Sequence, residues 1–419
     1  MKNSLGIYIH IPFCASKCTY CDFYSLPDCD YLMPRYQEAL LRHIEENTPA
    51  ISNYEVDTVY FGGGTPSFYG AGRIAEIFNT IKLNGNVRLD SEVTVEANPD
   101  SVTKDSLKIL RKAGVNRLSL GMQSANNDLL KLIGRRHNFQ QVGRAVQAAR
   151  DTGFENISLD LMYGLPTQTK NEWAETLAKA VELKPEHISC YGLKLEEGTK
   201  MYSEYLNSPL LPDDDEQADM YMYAVQMLER YGYHQYEISN FSAKGFESRH
   251  NLKYWNLDDY MGFGPGAHSC VGNLRYSYVK DLKGYIAGVE RESSLIDERE
   301  TITDFEKSVE YVMLAMRTSR GISEADYRRV CRSSFKYVEK VMRAFAAKGW
   351  TECTDGRWHF TPQGFLISNT LIGILLETQA DERADSNPWL ERALAEEEKT
   401  AFPKNEDELF REMLENNMN

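Results

Sequence analysis

No stretch of about 18 uninterrupted apolar residues occurs in this 419-residue sequence, so a membrane-crossing helix is excluded. Met1-Lys2-Asn3-Ser4 runs directly into the strand-like Leu5–Ile11, with no separate apolar core and no small-residue cleavage site. A secretory signal is therefore not expected, and the cytoplasm is the default location. Positive charge is short as well: 47 Lys and Arg stand against 62 Asp and Glu, a formal net charge of −15. That balance argues against broad contact with nucleic acid or anionic lipid. Solenoid repeats are absent. With 42 % apolar and 26 % charged residues, the chain is neither collagen-like, low-complexity nor disordered. Its length suits either two to three domains or one large barrel with a smaller module.

Cysteines are few but unevenly placed, at 14, 18, 21, 29, 190, 270, 331 and 353. Three crowd into eight residues, which in a cytosolic protein of this size points to metal or redox chemistry rather than to a disulfide framework. Cys190, Cys270, Cys331 and Cys353 have no cluster spacing and read as small buried hydrophobes.

Short β-rich runs alternate with helix-period segments over the first two hundred residues. The strands expected are Leu5–Ile11, Val56–Phe61, Glu92–Glu96, Arg117–Leu120, Ile157–Asp160 and His187–Tyr191. Helices are expected between them at Tyr36–Glu46, Gly72–Ile81, Lys104–Ala113, Phe139–Thr152 and Lys170–Leu183. Such alternation predicts an α/β fold of βαβ units with a parallel sheet. Six units without an obvious switch point fit a partial (β/α)6 barrel better than a doubly wound sheet, although spacing alone does not decide. Pro212-Asp213-Asp214-Asp215-Glu216 is a polar break whose carboxylates suit the start of a helix over Gln217–Tyr231. Farther on, helices at Thr303–Arg317, Glu324–Cys331 and Phe335–Ala347, a hairpin of Trp350–Cys353 with Arg357–Phe360, and a helix at Pro362–Leu376 make a winged-helix-like module. Given the acidity, that module reads as packing rather than as a DNA binder. The domain plan is a barrel over 1–240, a connecting segment over 241–300, the winged-helix-like module over 301–377 and an acidic tail over 378–419. The tail holds 12 acidic and five basic side chains, with a possible helix at Glu406–Leu414.

The crowded cysteines lie in Tyr8-Ile9-His10-Ile11-Pro12-Phe13-Cys14-Ala15-Ser16-Lys17-Cys18-Thr19-Tyr20-Cys21, a C-x3-C-x2-C spacing just after the first strand. Structural zinc asks for four closed ligands. Cys29 lies eight residues on, past Pro27, and the strand carries His10 along the sheet rather than around the loop. Three thiolates on one loop suit a [4Fe–4S] cube with one iron open. That open iron can be chelated by a molecule with both an amine and a carboxylate, such as S-adenosylmethionine (SAM). C-x3-C-x2-C after a first strand resembles the radical SAM superfamily. The surrounding Y-x-H-x-P-F-C is similar to the branch that contains the oxygen-independent coproporphyrinogen III oxidases. The resemblance spans roughly residues 5–375.

It implies that Cys14, Cys18 and Cys21 ligate the cluster, flanked by Tyr8 and Tyr20 at the cofactor. Phe61-Gly62-Gly63-Gly64-Thr65-Pro66-Ser67 ends the second strand; glycines alone often only make a turn. By resemblance Gly63, Gly64 and Thr65 meet the methionine end of SAM, and Glu96, in Val95-Glu96-Ala97-Asn98-Pro99, accepts from the ribose. Gln123 in Gly121-Met122-Gln123-Ser124, Arg135 in Gly134-Arg135-Arg136-His137, and Asp160 in Leu159-Asp160-Leu161 complete the pocket. Physically, Asp160 in an apolar strand needs a partner for its burial, and Arg135 is a candidate.

The oxidases carry a further cysteine two residues past the third; here the run is Cys21-Asp22-Phe23. They also bear a longer N-terminal extension than the seven residues preceding Tyr8. Cys-x-Phe, the short start and Arg249-His250-Asn251-Leu252-Lys253-Tyr254-Trp255 resemble the HemW-type heme chaperones and meet their H-N-x-x-Y-W signature. That resemblance implies heme binding through His250, Asn251, Tyr254 and Trp255, delivery of heme to apoproteins such as respiratory cytochromes, and an electron donor to the cluster. A neutral imidazole is a standard heme-iron ligand, and flat aromatic side chains can pack on a porphyrin. His268, in the Gly-rich turn Gly262–Ser269, is a second, weaker ligand candidate. The competing reading is the oxidase itself, which decarboxylates two propionates of coproporphyrinogen III. Radical chemistry on heme is a third.

Overall fold

The computed structural model describes residues 3–384. The chain divides into two compact units at Ile302 and Thr303. The expected acidic tail, 378–419, begins inside the helix Ser368–Ala384; its part beyond 384, with the expected helix at 406–414, lies outside the described residues.

Six parallel strands build the first unit in chain order: β1 (Ser4–Ile11), β2 (Glu55–Gly63), β3 (Asn86–Ala97), β4 (Arg117–Gln123), β5 (Asn156–Tyr163) and β6 (His187–Gly192). Side chains alternate across a strand, and here the two faces differ in chemistry. One face is apolar: Ile7, Ile9, Val59, Phe61, Val95, Leu118, Leu120, Ile157, Leu159 and Ile188 are all fully buried. It packs under the amphipathic helices Met33–Glu46, Ala71–Asn84, Lys104–Ala113, Phe139–Asp151 and Lys170–Glu182. The other face is polar: Tyr60, Glu96, Arg117, Ser119, Gln123, Ser158, Asp160, His187, Ser189 and Tyr191 line one shared cavity. An open parallel sheet with helices on both faces would be apolar on both. A polar face turned onto its own cavity is the signature of a barrel-like curl, which settles the choice left open by strand spacing.

Helix starts follow the sequence closely. Thr103, Asn138, Thr169 and Asp213 each close a capping box, satisfying two orphan backbone donors apiece. The acidic break at 212–216 is such a start, with Glu216 answering Asp213 at the head of the helix Asp214–Arg230.

Residues 241–300, expected as a connection, build sheet instead. On the far edge, β8 (Asn240–Ser242) runs antiparallel beside β6, and β7 (His234–Gln235), just before this stretch, pairs antiparallel with β8. On the near edge, β9 (Tyr260–Phe263) pairs parallel to β1, and β10 (His268–Val271), β11 (Leu274–Tyr278) and β12 (Ile296–Thr301) continue the sheet antiparallel. Strands this short, two of them joined by a tight turn at Gly272, are too brief for a period to stand out.

The second unit keeps the expected helices and hairpin, with two differences: a short strand, Ile322–Ser323, joins the hairpin, and the expected helix Pro362–Leu376 is two, Pro362–Leu366 and Ser368–Ala384. Helices Asp304–Ala315, Glu324–Cys331 and Lys336–Ala347 pack with a three-stranded antiparallel sheet of Ile322–Ser323, Arg357–Phe360 and Thr351–Thr354. Its core is Val312, Met316, Tyr327, Val338, Met342, Phe345 and Phe360. Of the scattered cysteines, Cys190 and Cys331 are buried as expected, but Cys270 is only half-buried and Cys353 is exposed.

Candidate functional site

The loop leaving β1 carries Cys14, Cys18 and Cys21 as free thiols lining the open end of the cavity. Backbone bonds fix its path: Cys14 N–H donates to Leu26 O (3.2 Å), Thr19 N–H to Ile133 O (3.2 Å) and Cys21 N–H to Cys18 O (3.3 Å). Each sulfur meets at least one polar partner, and Cys14 meets both Thr65 and Ser25. Thr65 Oγ1 is 3.3 Å from Cys14 Sγ, Arg135 Nη1 3.6 Å from Cys18 Sγ, and Ser25 Oγ 3.7 Å from Cys21 Sγ. Contacts of this kind tune an iron–sulfur cluster. Burial pushes the Cys14 thiol up. Among the described residues, no three His, Cys, Asp or Glu gather to hold a metal ion. A [4Fe–4S] cube makes a different demand, because each thiolate takes its own iron across the breadth of the cube. His10 is withdrawn from any ligand set: Tyr8 O–H donates to its Nδ1 (3.1 Å), and its Nε2–H donates to Tyr24 O (2.8 Å).

Behind the loop lies a cavity of about 440 Å³. Gly63, Gly64 and Thr65 form part of its wall. Gly63 holds φ at +107°, and a Cβ there would stand 2.6 Å from the His10 ring; one on Gly64 would stand 2.8 Å from the carbonyls of Ile11 and Phe13. Glycine is thus demanded by the close approach of β1 to β2, and the bare backbone at the wall is a consequence. Tyr60 O–H donates to Glu96 Oε1 at 2.7 Å. Burial pushes the Glu96 carboxyl up to about 7, and the Asp160 charge acts in the same direction. Gln123 lines the cavity with φ at +61°, a conformation most side chains avoid. Tyr20 lines it too, its phenol raised by burial.

Two expectations need correction here. Asp160 is not partnered by Arg135. Its oxygens accept from Ser189 (2.8 Å), Ser119 (3.0 Å) and Ser158 (3.5 Å), while Arg135 donates to Asn98 Oδ1 (2.6 Å) and Gly121 O (2.9 Å) as well as meeting Cys18. Three hydroxyls on adjacent strands reach Asp160 at hydrogen-bonding range. Tyr8 also stands behind the wall rather than in it, stacked on Tyr60 with centroids 6.3 Å apart and its hydroxyl spent on His10.

The opposite end of the barrel is closed by the helix Arg249–Asn256, which carries the H-N-x-x-Y-W residues. Glu92 accepts from the Arg249 and His250 N–H groups (3.2 and 3.1 Å). Lys253 pairs with Asp57 (2.8 Å) and donates to Ser4 Oγ (3.1 Å). His250, 1 % exposed, has Thr58 Oγ1 2.8 Å from Nδ1 and Tyr254 Oη 2.8 Å from Nε2. Burial and the nearby Lys253 and Arg117 charges lower it to about 3, so it is neutral. With both nitrogens engaged, His250 has no lone pair to offer an iron in this fold. Tyr254 packs edge-on against Tyr260 (4.7 Å, 88°) instead of presenting a face, and Trp255 is half-buried. Of the four residues, only Asn251 reaches the cavity. His268 is exposed at the start of β10 and away from the cavity lining.

The radical SAM superfamily profile matches residues 8–180. The heme chaperone HemW of Bacillus subtilis is 37 % identical over 377 residues, spanning 88 % of this chain and 98 % of its own. That of Escherichia coli is 34 % identical over 384 residues, spanning 89 % and 98 %. The chain belongs to the HemW family of the radical SAM superfamily. Among solved structures, coproporphyrinogen III oxidase (HemN) from Escherichia coli, itself a radical SAM enzyme, superposes with a TM-score of 0.79 over 90 % of both chains. At 22 % identity that likeness establishes the fold.

The superfamily's cofactors are a [4Fe–4S] cluster and SAM, and the three thiols with a polar partner each are a donor set that fits the cluster. Sequence reasoning missed much of the wall between them: Tyr60, Arg117, Ser119, Ser158, His187 and Ser189. The signal was present as period-two polar residues inside apolar strands, as in Arg117-Leu118-Ser119-Leu120 and His187-Ile188-Ser189-Cys190.

Proposed function

We propose that this chain binds a [4Fe–4S] cluster, SAM and heme and delivers heme to apoproteins such as respiratory cytochromes, working in the cytoplasm with an electron donor for its cluster. The observation that carries this reading is the end-to-end match to HemW relatives, 98 % of the Bacillus subtilis protein being covered. In it Cys14, Cys18 and Cys21 hold the cluster, and Arg135 and Thr65 hold two of its sulfurs in place. Gly63, Gly64, Thr65, Tyr20, Glu96, Gln123, Arg135 and Asp160 bind SAM, with Glu96 as the ribose acceptor. When bound, the cluster supplies a low-potential electron to the SAM sulfonium. The chain's own residues line the cavity and would orient the nucleotide there. No helix among the described residues is long and apolar enough to cross a membrane.

Phe23 supports this reading over the oxidase. It is 69 % exposed and lines the open end of the cavity, where an oxidase would carry a further thiol. The fold shared with HemN favours the oxidase as the second reading.

A single preparation separates the two. The anaerobically reconstituted chain is incubated with SAM, a low-potential reductant and coproporphyrinogen III beside an authentic oxidase, and tetrapyrrole masses are read. A second sample is loaded with heme and mixed with an apocytochrome. Unchanged mass together with heme transfer is the expected result. Loss of two carboxyl groups per substrate would make the chain an oxidase.

A further inference from the structure

Arg117 lies at the far end of the cavity from the cysteine loop. It opens β4, six residues and roughly 20 Å of strand before Gln123 at the open end. Its side chain lines the cavity with Ser158, His187 and Asn251, yet the residue is only 2 % exposed. Among the described residues it donates no side-chain hydrogen bond and joins no ion pair, and its Nε is buried without a partner.

That is unusual for a group with five donors and a permanent charge. Burying such a cation unpaired is costly, and the other cations of this barrel are paired: Lys253 holds Asp57, and Arg135 holds Asn98, Gly121 and Cys18. Of the carboxylates lining the cavity, Glu96 and Asp160 stand on the barrel strands; neither comes within ion-pair distance of Arg117, although Asp160 feels its charge. Glu96 is engaged by Tyr60, and Asp160 by three serines. Its neighbour His187 is neutral, with Nδ1 on Ser158 Oγ (2.7 Å) and Nε2 on Tyr236 Oη (2.8 Å). A guanidinium fork is therefore presented to the cavity floor with no protein acceptor. Its geometry matches a carboxylate in a two-point contact.

We propose that Arg117 anchors a second ligand compartment at the barrel floor, beyond the residues assigned to SAM, and that this compartment takes a carboxylate. Asn251, reaching up from the closing helix, is placed to bond the same group. The cavity, about 440 Å³, lies in the lower part of the range for one small-molecule ligand. What reaches Arg117 beside a cofactor is thus a small acid or a short arm, not a whole macrocycle. Two sources share that chemistry: a free carboxylic acid, and a propionate arm of a tetrapyrrole. The second rests on the function proposed above.

The full, anaerobically reconstituted chain is used in two arms, each with the native protein, Arg117→Gln and Arg117→Lys. In the first, iron protoporphyrin IX and its dimethyl ester are titrated by absorbance; in the second, sodium propionate is titrated by calorimetry. A porphyrin-arm site gives the native chain about a tenfold or greater preference for acid over ester, abolished in Arg117→Gln and reduced in Arg117→Lys. A free-acid site gives propionate binding that Arg117→Gln removes, without the acid–ester preference. Equal affinity for acid and ester, with propionate binding absent or indifferent to Arg117→Gln, overturns the proposal. Failure of the native chain to bind either porphyrin sinks the heme reading alone, and the propionate arm still decides Arg117. Should Arg117→Gln not fold, Arg117→Lys, which keeps the charge but not the fork, carries the same comparison.

Discussion

The two ends of one barrel cavity are built on opposite principles. At the open end, side chains stand with capacity to spare: three free thiols with one or two polar partners each, a glycine wall, and Phe23 in solvent. At the closed end, the helix Arg249–Asn256 consumes nearly every polar group it brings, with His250 doubly bonded, Lys253 ion-paired and Glu92 accepting from two backbone amides. Unfilled bonding capacity marks the place where a ligand belongs, whereas a filled network marks a structural joint. By that measure H-N-x-x-Y-W is first a plug for the barrel, and Arg117 is an open group left beside it.

Substitutions at the two ends should therefore fail in different ways. Cys18→Ala should take iron from about four per chain to near none while leaving the apoprotein's urea midpoint within about 1 kcal/mol of the native value. Cluster loss accompanied by global unfolding would erase the distinction. At the closed end, Lys253→Met leaves Asp57 (side chain 16 % exposed) without its counter-ion and should cost about 3 kcal/mol, read from urea unfolding of the apoprotein. His250→Ala empties a buried site and strands Thr58 and Tyr254, so a loss of about 2–3 kcal/mol is expected. The same variant, once folded, should keep its heme absorbance spectrum. A lost spectrum with unchanged stability would make His250 a ligand after all.

The pH dependence sharpens the contrast further. The Glu96 carboxyl is raised from 4.5 to about 7, and so is that of Glu237; Asp160 is raised by burial as well. A raised carboxyl binds its proton more tightly when folded than when unfolded. Taken alone, these carboxyls make apoprotein stability fall as pH rises from about 4.5 to about 7, whereas the buried His10, His43, His137, His187 and His250, held neutral below their ordinary range, make it rise over the lower part of the same window. Glu96→Gln removes one falling share, so the variant's stability measured against the native chain should rise from about pH 4.5 to about 7; an unchanged difference would mean Glu96 is solvated. The smallest effect is expected at Phe23→Ala, under about 0.5 kcal/mol on stability, so any change in porphyrin affinity there reports on the cavity entrance alone.

Much was legible without coordinates because it is local. The C-x3-C-x2-C spacing, the capping residues Thr103, Asn138 and Thr169, and the βαβ rhythm each depend on neighbours a few residues apart, and the family likeness follows from such stretches. Tertiary structure decided the rest, for a reason seen at Asp160 and His250. A buried polar group takes whichever partner the fold brings within about 3 Å, and those partners come from distant parts of the chain. Three serines displaced Arg135 from Asp160, and Thr58, 192 residues away, claimed a nitrogen of His250. The sequence by itself determined which residues carry chemistry and on which elements they ride; only the packed barrel decided which of them are already spoken for and which, like Arg117, are left facing the cavity.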